Sequence, residues 1–317
     1  MKCPSEKVLN PSTGRCVKKT GKIGRQIMQK SAPPELAQVH FPPTRLRIMT
    51  SNVEGFDKAS PINVLTRLAQ EKPDVIMLTE DTTRTAGALK AAATTLGYHL
   101  ACSCRAEILM SATRNTVHLR NTILVRKGIT TENMKCGDIH SAGQTHRTFC
   151  GVTLKLGRRR IPIVATHLLG GRYESVQFLK HVRGREKQLQ KIVNAYSPVV
   201  IAGDFNAFES AAMARKAYAN YPPYQKQSTE HKKMYLEYST NGHEFLSASG
   251  YKKAYTAQEI GATSYYNGAM DWVYFRPGLL RAKGSKNVEM MNGKRHPQNC
   301  SGCLTDHNAV VVDFAVL

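Results

Sequence analysis

Acidic residues are scarce in this chain of 317 residues: 23 Asp and Glu stand against 45 Lys and Arg, a formal net charge of +22. Such an excess of cation favours polyanionic partners, namely DNA, RNA or an acidic membrane surface. Long apolar runs are missing too. No stretch reaches the roughly 18 residues a transmembrane helix needs, and the first residues lead into polar sequence, so no secretory signal is expected. Cysteine is thin, with eight residues, and without a secretion signal the expected state is the reduced thiol. No internal repeat occurs at a solenoid period. What remains is ordinary: 41% hydrophobic and 21% charged residues, which excludes a wholly disordered, collagen-like or coiled-coil chain. A chain this long can bury a large core without staples.

The first 45 residues differ from the rest. They hold nine Lys and Arg against two acids, few large apolar groups, and the breakers Pro33-Pro34 and Pro42-Pro43, so they cannot bury enough surface to fold as a sizeable domain. Within them Asn10-Pro-Ser-Thr-Gly14 reads as a turn that brings Cys3 and Cys16 near each other. From Leu46 the texture changes. Strands are expected at 46–51, 73–80, 121–126, 149–156, 161–167, 198–202, 271–275 and 309–317. Helices are expected at 61–71 (Ile62, Leu65 and Leu68 on one face), at 86–96 closed by Gly97, and at 174–195, which is basic. Residues 210–260 are polar and Tyr-rich, with no clear period. Strands and helices alternate, which fits one layered α/β (α+β) domain over 46–317, with 31–45 as a Pro-rich linker.

Five short polar patterns end or follow apolar runs: Asn52-Val-Glu54, Leu78-Thr-Glu80, Thr166-His167-Leu168, Gly203-Asp-Phe-Asn206 and Thr305-Asp-His307. A polar residue at a strand end can meet others from neighbouring strands. Asn52, Glu80 and Asp306 offer oxygens to a hard divalent cation such as Mg²⁺, with Mn²⁺ as the alternative. Asp204 can orient or deprotonate a water, His167 and His307 can donate to a phosphoryl oxygen, and Asp271 can hold one imidazole in its protonated form. Singly each pattern is weak; together they supply what phosphodiester cleavage requires.

In order and wording these motifs resemble the endonuclease/exonuclease/phosphatase superfamily, the DNase I-like fold, from about Leu46 to Leu317. The resemblance implies a four-layered sandwich of two mixed β-sheets flanked by helices, with the active site at one end. It implies that Asn52 and Glu80 hold the metal and that Asp306 supports it. It further implies that His167 contacts the scissile phosphate, that Asp204 and Asn206 position the nucleophilic water, and that Asp271 pairs with His307. Thr305 stands where the family commonly has Ser, and the hydroxyl is kept. Residues 1–30 resemble a two-cysteine adaptor module of large cytoplasmic DNA viruses. That implies a docking role toward a viral protein partner and a place in host cytoplasm or virion.

Other residues carry weaker expectations. Arg183, Arg185 and Lys187 on the basic helix are candidates to face nucleic acid, or simply a solvated face. Cys300-Ser-Gly-Cys303, with His296 near, has metal-ligand spacing but no evident companion pair. Cys102 and Cys104 read as structural. Tyr221, Tyr224, Tyr265, Tyr266 and Trp272 can stack bases, although core packing is the commoner fate. The superfamily acts on several phosphoesters. The charge favours nucleic acid, DNA or RNA, and the expectation taken is an endonuclease with DNA before RNA. Ile201-Ala-Gly-Asp and Ala269-Met-Asp-Trp lack the marks of inositol polyphosphate 5-phosphatases. A sphingomyelinase-like lipid phosphodiesterase and a non-catalytic basic virion or DNA-binding protein on the same fold are the competing readings.

Overall fold

The computed structural model describes residues 6–9, 15–18, 20–22, 45–109, 116–140, 146–170, 184–219, 222–265, 267–292 and 302–317. Contacts divide the chain between Pro42 and Pro43. In the first unit, strands β1 (Lys7–Leu9) and β2 (Cys16–Lys18) pair antiparallel, with Val8 opposite Val17. Cys16 is disulfide-bonded; Cys3 lies outside the described residues.

The second unit holds two six-stranded mixed sheets. One contains β3 (Arg45–Asn52), β4 (Val75–Thr82), β5 (Tyr98–Leu109), β6 (Thr116–Arg126), β13 (Leu280–Val288) and β14 (Ala309–Val316), in the order β13-β14-β3-β4-β6-β5. The other contains β7 (Thr130–Asp138), β8 (Thr148–Leu156), β9 (Arg159–Thr166), β10 (Val200–Asp204), β11 (Lys252–Lys253) and β12 (Asp271–Phe275), in the order β11-β12-β10-β9-β8-β7. The expected DNase I-like sandwich is what the chain forms. Leu46, Ile48, Val75, Met77, Ile123 and Val125 of the first sheet share one core with Val152, Leu154, Ile161 and Ile163 of the second. Side chains alternate across each strand, so the opposite face of the first sheet is free to take helices. There α1 (Pro61–Ala69) and α2 (Ala86–Thr95) cover Met49, Ile76 and Leu78. Helix α1 buries Pro61, Val64, Leu65 and Leu68, about 1.5–3 kcal/mol for each large side chain. Ile62, expected on that face, is 39% exposed instead. It lies one position past Pro61, and the helix turns it outward.

Helix α3 (Gly184–Tyr196) bridges the parallel pair β9–β10, as α1 does for β3–β4. The polar stretch after β10 forms short helices: α4 (Ala211–Tyr218), α5 (Pro222–Gln225), α6 (Thr229–Tyr238), α7 (His243–Ala248) and α8 (Ala257–Ile260). Their aromatics pack inward. Phe208, Tyr218, Tyr224 and Tyr235 make one small core. Among the described residues no helix is long and apolar enough to cross a membrane.

The expectation of reduced thiols is corrected here. Cys102 and Cys104 alternate onto the inner face of β5 and meet β8 and β7 across the seam, as Cys102–Cys150 and Cys104–Cys136 disulfides. Facing positions on apposed sheets bring the sulfurs into bonding range whatever the sequence separation. The two bridges staple one sheet to the other.

Candidate active site

Parallel strands end where their antiparallel neighbours begin, so residues after β3, β4, β9 and β10 share one end of the sandwich with residues before β12 and β14. Asn52 is the last residue of β3 and Asp204 the last of β10. His167 follows β9, Asp271 opens β12 directly opposite Asp204, and His307 precedes β14. Apolar β-branched residues form these strands, and the polar residue at each end emerges at the rim.

Two backbone devices aim the carboxylates. The register of β4 slips between Leu78 and Asp81, and Glu80 takes φ +59°. A non-glycine residue there costs on the order of 1–3 kcal/mol, and its neighbour holds it. The buried Asp81 carboxylate accepts from Arg120 (2.5 Å) and Thr122 (2.8 Å). Gly203 takes φ +144°, and a Cβ there would sit 1.8 Å from the Thr166 carbonyl oxygen. Only glycine lets β10 approach the end of β9 so closely.

The groups converge. Asn52 Nδ2 donates to Glu80 Oε1 (3.1 Å) and to Asp204 Oδ2 (3.0 Å). His167 Nε2 lies 3.5 Å from Glu80 Oε1 and 3.6 Å from Asp204 Oδ2. The Asn206 amide sits 2.9 Å from that nitrogen, and its backbone N–H donates to Asp204 Oδ1 (2.8 Å). His307 donates through Nδ1 to Asp271 Oδ2 (2.8 Å), and its Nε2 faces Asp204 Oδ2 at 4.0 Å. The Thr305 hydroxyl donates to the Asn52 carbonyl (2.9 Å), tying the approach to β14 to the end of β3.

Electrostatics separate the groups by role. Burial, then Asp306 and Asp204, push the Glu80 carboxyl up to about 7, against the pull of Arg147 and Asn52. Acids crowded in this way call for a cation. The carboxylates of Glu80, Asp204 and Asp306 fit a hard divalent ion, whereas Asn52 turns its Nδ2 toward them and its Oδ1 to the Glu54 N–H (3.0 Å). Burial, then Arg147 and His307, hold His167 well below the usual imidazole range, so it is neutral. Burial also opposes charge on His307, but Asp271 by charge and hydrogen bond, with Asp306 and Asp204, keeps its proton on well above that range.

Two residues of this site were not singled out in the sequence. Arg147 Nη1 donates to His167 Nδ1 (2.9 Å). Guanidinium is a donor only, so Nδ1 accepts from it, while Nε2 faces the acids with Asn206 Nδ2, which also donates to the Leu168 carbonyl (3.2 Å), beside it. Arg147 stands just before β8, and a search of strand starts as well as strand ends would have found it. Glu54 accepts from the Asp306 N–H (3.1 Å) and pairs with Lys58. It is the third residue of the Asn52 pattern, and burial, then Asp306, raise its carboxyl.

Of the residues expected to face nucleic acid, Arg183 lies outside the described residues and Lys187 is exposed. Arg185 is a correction: it is buried, and donates to the carbonyls of Leu169 (2.6 Å) and Tyr238 (3.3 Å). It lies on the inward stripe of α3 with Gln188, Leu189 and Ile192, and fastens the segment after His167. Trp272 and Tyr224 are buried core, not stacking platforms. Tyr265 is half-buried, while Tyr221 and Tyr266 lie outside the described residues. His296 and Cys300 also lie outside them, and Cys303 is disulfide-bonded, which removes it as a zinc thiolate.

Among solved structures, the fold is similar to an endonuclease/exonuclease/phosphatase from Beutenbergia cavernae (16% identity, 86% of this chain and 72% of that one, TM-score 0.60). It is similar to D. rerio TDP2 complexed with single strand DNA product (16%, 86% and 99%, TM-score 0.53). It also resembles the human Nocturnin catalytic domain with bound sulfate anion (13%, 86% and 94%, TM-score 0.52). At these identities the likeness is one of fold. No curated protein matches the chain. The sequence profile of the endonuclease/exonuclease/phosphatase family, whose members are hydrolytic and generally metal-dependent, matches residues 49–307, and the chain belongs to that family.

Proposed function

We propose that this protein is a Mg²⁺-dependent phosphodiesterase that cleaves nucleic acid, DNA before RNA, as an endonuclease. The observation that carries the reading is the meeting of Asn52, Glu80, His167, Asp204, Asn206, Asp271 and His307 at one rim, on a chain of net charge +22. Phosphate contacts dominate nucleic-acid affinity, and such a charge serves them.

Glu80 and Asp306 would hold the ion, with Asn52 bracing Glu80 and Asp204 through its Nδ2; the ion when bound polarises the phosphoryl group and offsets its charge. Asp204 orients the attacking water and accepts its proton. His167, its ring held by Arg147 at Nδ1, presents Nε2 to the acids and contacts a phosphoryl oxygen. Asn206 holds the His167 ring edge and the Asp204 carboxylate in place. His307, kept cationic by Asp271, stabilises the charge that builds on the phosphoryl oxygens in the transition state. Residues 1–30 serve as a docking appendage for a viral protein, a role read from their two-cysteine pattern.

The test is a substrate panel: supercoiled plasmid, abasic duplex, RNA and sphingomyelin, each with Mg²⁺ or EDTA. Nicking of the DNA substrates in Mg²⁺ alone is the expected result. Turnover of sphingomyelin alone would transfer the assignment to lipid. Tight DNA binding without turnover of any substrate would leave a non-catalytic binding protein. Deleting residues 1–30 should leave hydrolysis intact and alter partner association.

A further inference from the structure

A second cluster of metal-ligating side chains lies outside the acidic rim. Strands β7 and β8 are antiparallel, with Asp138 opposite Thr148. The Ile139 N–H donates to the Arg147 carbonyl (2.9 Å), which carries the pairing one step further and sets His140 opposite His146. Asp138 and His140 are two apart, hence on one face of their leg, and the cross-strand partner His146 shares it. The three side chains accordingly meet. His146 Nε2 lies 3.0 Å from Asp138 Oδ1, and the His140 and His146 ring centroids are 4.3 Å apart. One ligand atom from each falls within 4.8 Å of the other two. Donors around an ion with bonds of about 2.1 Å stand roughly 3–4 Å apart, so closure needs only small side-chain movement.

Two further facts point to a ligand. His140 Nδ1 is shielded from solvent and has no hydrogen-bond partner among the described residues, an arrangement with a cost unless something binds there. Both legs are also pinned. Cys136, two residues before Asp138, is bonded to Cys104, and Cys150, two residues after Thr148, is bonded to Cys102. A hairpin anchored at its base holds its donors ready and loses little entropy on binding.

We propose that Asp138, His140 and His146 form a binding site for a divalent transition-metal ion of the zinc class, separate from the Mg²⁺ site of the acidic rim. The donor sets sort the ions. Two imidazoles and one carboxylate suit Zn²⁺, Ni²⁺ or Co²⁺, whereas the oxygen-rich rim suits Mg²⁺. Binding replaces the His146–Asp138 hydrogen bond with two metal–ligand bonds, and the displaced ring proton moves to Nδ1 or leaves to solvent. The ion would clasp the two legs beside Arg147, the residue that donates to His167 Nδ1.

The experiment is Zn²⁺ titration of the metal-stripped full chain in saturating Mg²⁺, followed by calorimetry and by the imidazole NMR signals. Wild type should bind one Zn²⁺ that shifts the His140 and His146 resonances. Asp138→Asn, His140→Ala and His146→Ala should each weaken that binding by about 100-fold or more, while Glu80→Gln retains it. Co²⁺ should give a visible absorption band in Glu80→Gln that His140→Ala abolishes. Zn²⁺ affinity unchanged in the three variants, or Zn²⁺ shifts confined to His167 and His307 in the wild-type spectrum, would overturn the proposal. The wild-type spectrum decides even if a variant fails to fold.

Discussion

Arg147 donates to Nδ1 of His167 at 2.9 Å, and that bond decides which ring nitrogen faces the acids. With Nδ1 committed to Arg147, Nε2 lies toward Glu80 and Asp204, with Asn206 Nδ2 2.9 Å from it. Replacing Arg147 by Met should release the ring. The expected outcome is a loss of turnover on the order of 10²–10³-fold, with a changed ¹⁵N shift at His167 Nδ1 and a little-changed KM. An unaltered Nδ1 signal in a folded variant would contradict the assignment.

The Asp271–His307 pair should behave as one unit. Asp271→Asn keeps the shape and removes the charge that holds the His307 proton. His307 should then titrate well below its wild-type value by NMR, and turnover should fall on the order of 10²–10⁴-fold. Binding of nucleic acid should change far less than turnover. A His307 titration that does not move would show that the charge is set elsewhere.

The two inter-sheet disulfides close loops of sequence separation 48 and 32. Restricting the unfolded chain in this way contributes about 2–4 kcal/mol for each bridge. Urea unfolding in the presence of a strong reductant should show a midpoint shifted down accordingly, with a larger m-value because the released chain unfolds to a more exposed state. Coincident curves with and without reductant would contradict this contribution.

His243 sets a pH dependence of stability. Burial, then Lys253, lowers its pKa to about 4, and Nδ1 contacts the Tyr274 hydroxyl at 2.6 Å. In the unfolded chain a histidine takes its proton near 6.5. Between about 6.5 and 4 the unfolded state binds a proton that the folded state does not, so stability falls as pH falls through that window. The loss reaches up to about 3 kcal/mol. His243→Gln should flatten this part of the profile, as measured by chemical denaturation at a series of pH values. A variant with the same slope as wild type would assign the dependence to other groups.

The layered fold and the rim were legible because their strands are central and apolar. Val75 to Leu78, Val200 to Ala202 and Ala309 to Val312 are buried on both faces and read as continuous runs. In the second unit four strands were not legible: β5, β7, β11 and β13. All four are edge strands, and β7, β11 and β13 carry polar residues that blunt an exposed edge. Such residues leave neither a hydrophobic run nor a clean alternation. The same blindness hid the disulfides, since Cys136 sits on β7 and its partner on β5. Arg147 escaped because attention to strand ends passes over strand starts. The inward side of α3, with Arg185 on it, was unreadable because a basic helix displays its charges in sequence without showing which face is covered.

The central claim is that the converged rim is a metal-dependent hydrolytic site. Its most direct test is Mg²⁺-dependent cleavage of a defined DNA duplex by wild type, Glu80→Gln and Asp204→Asn, with folding checked by circular dichroism. The account predicts cleavage by wild type that EDTA abolishes, and losses of at least about 10²-fold in both folded variants. Equal cleavage by all three proteins, or cleavage by wild type that persists in EDTA, would contradict it.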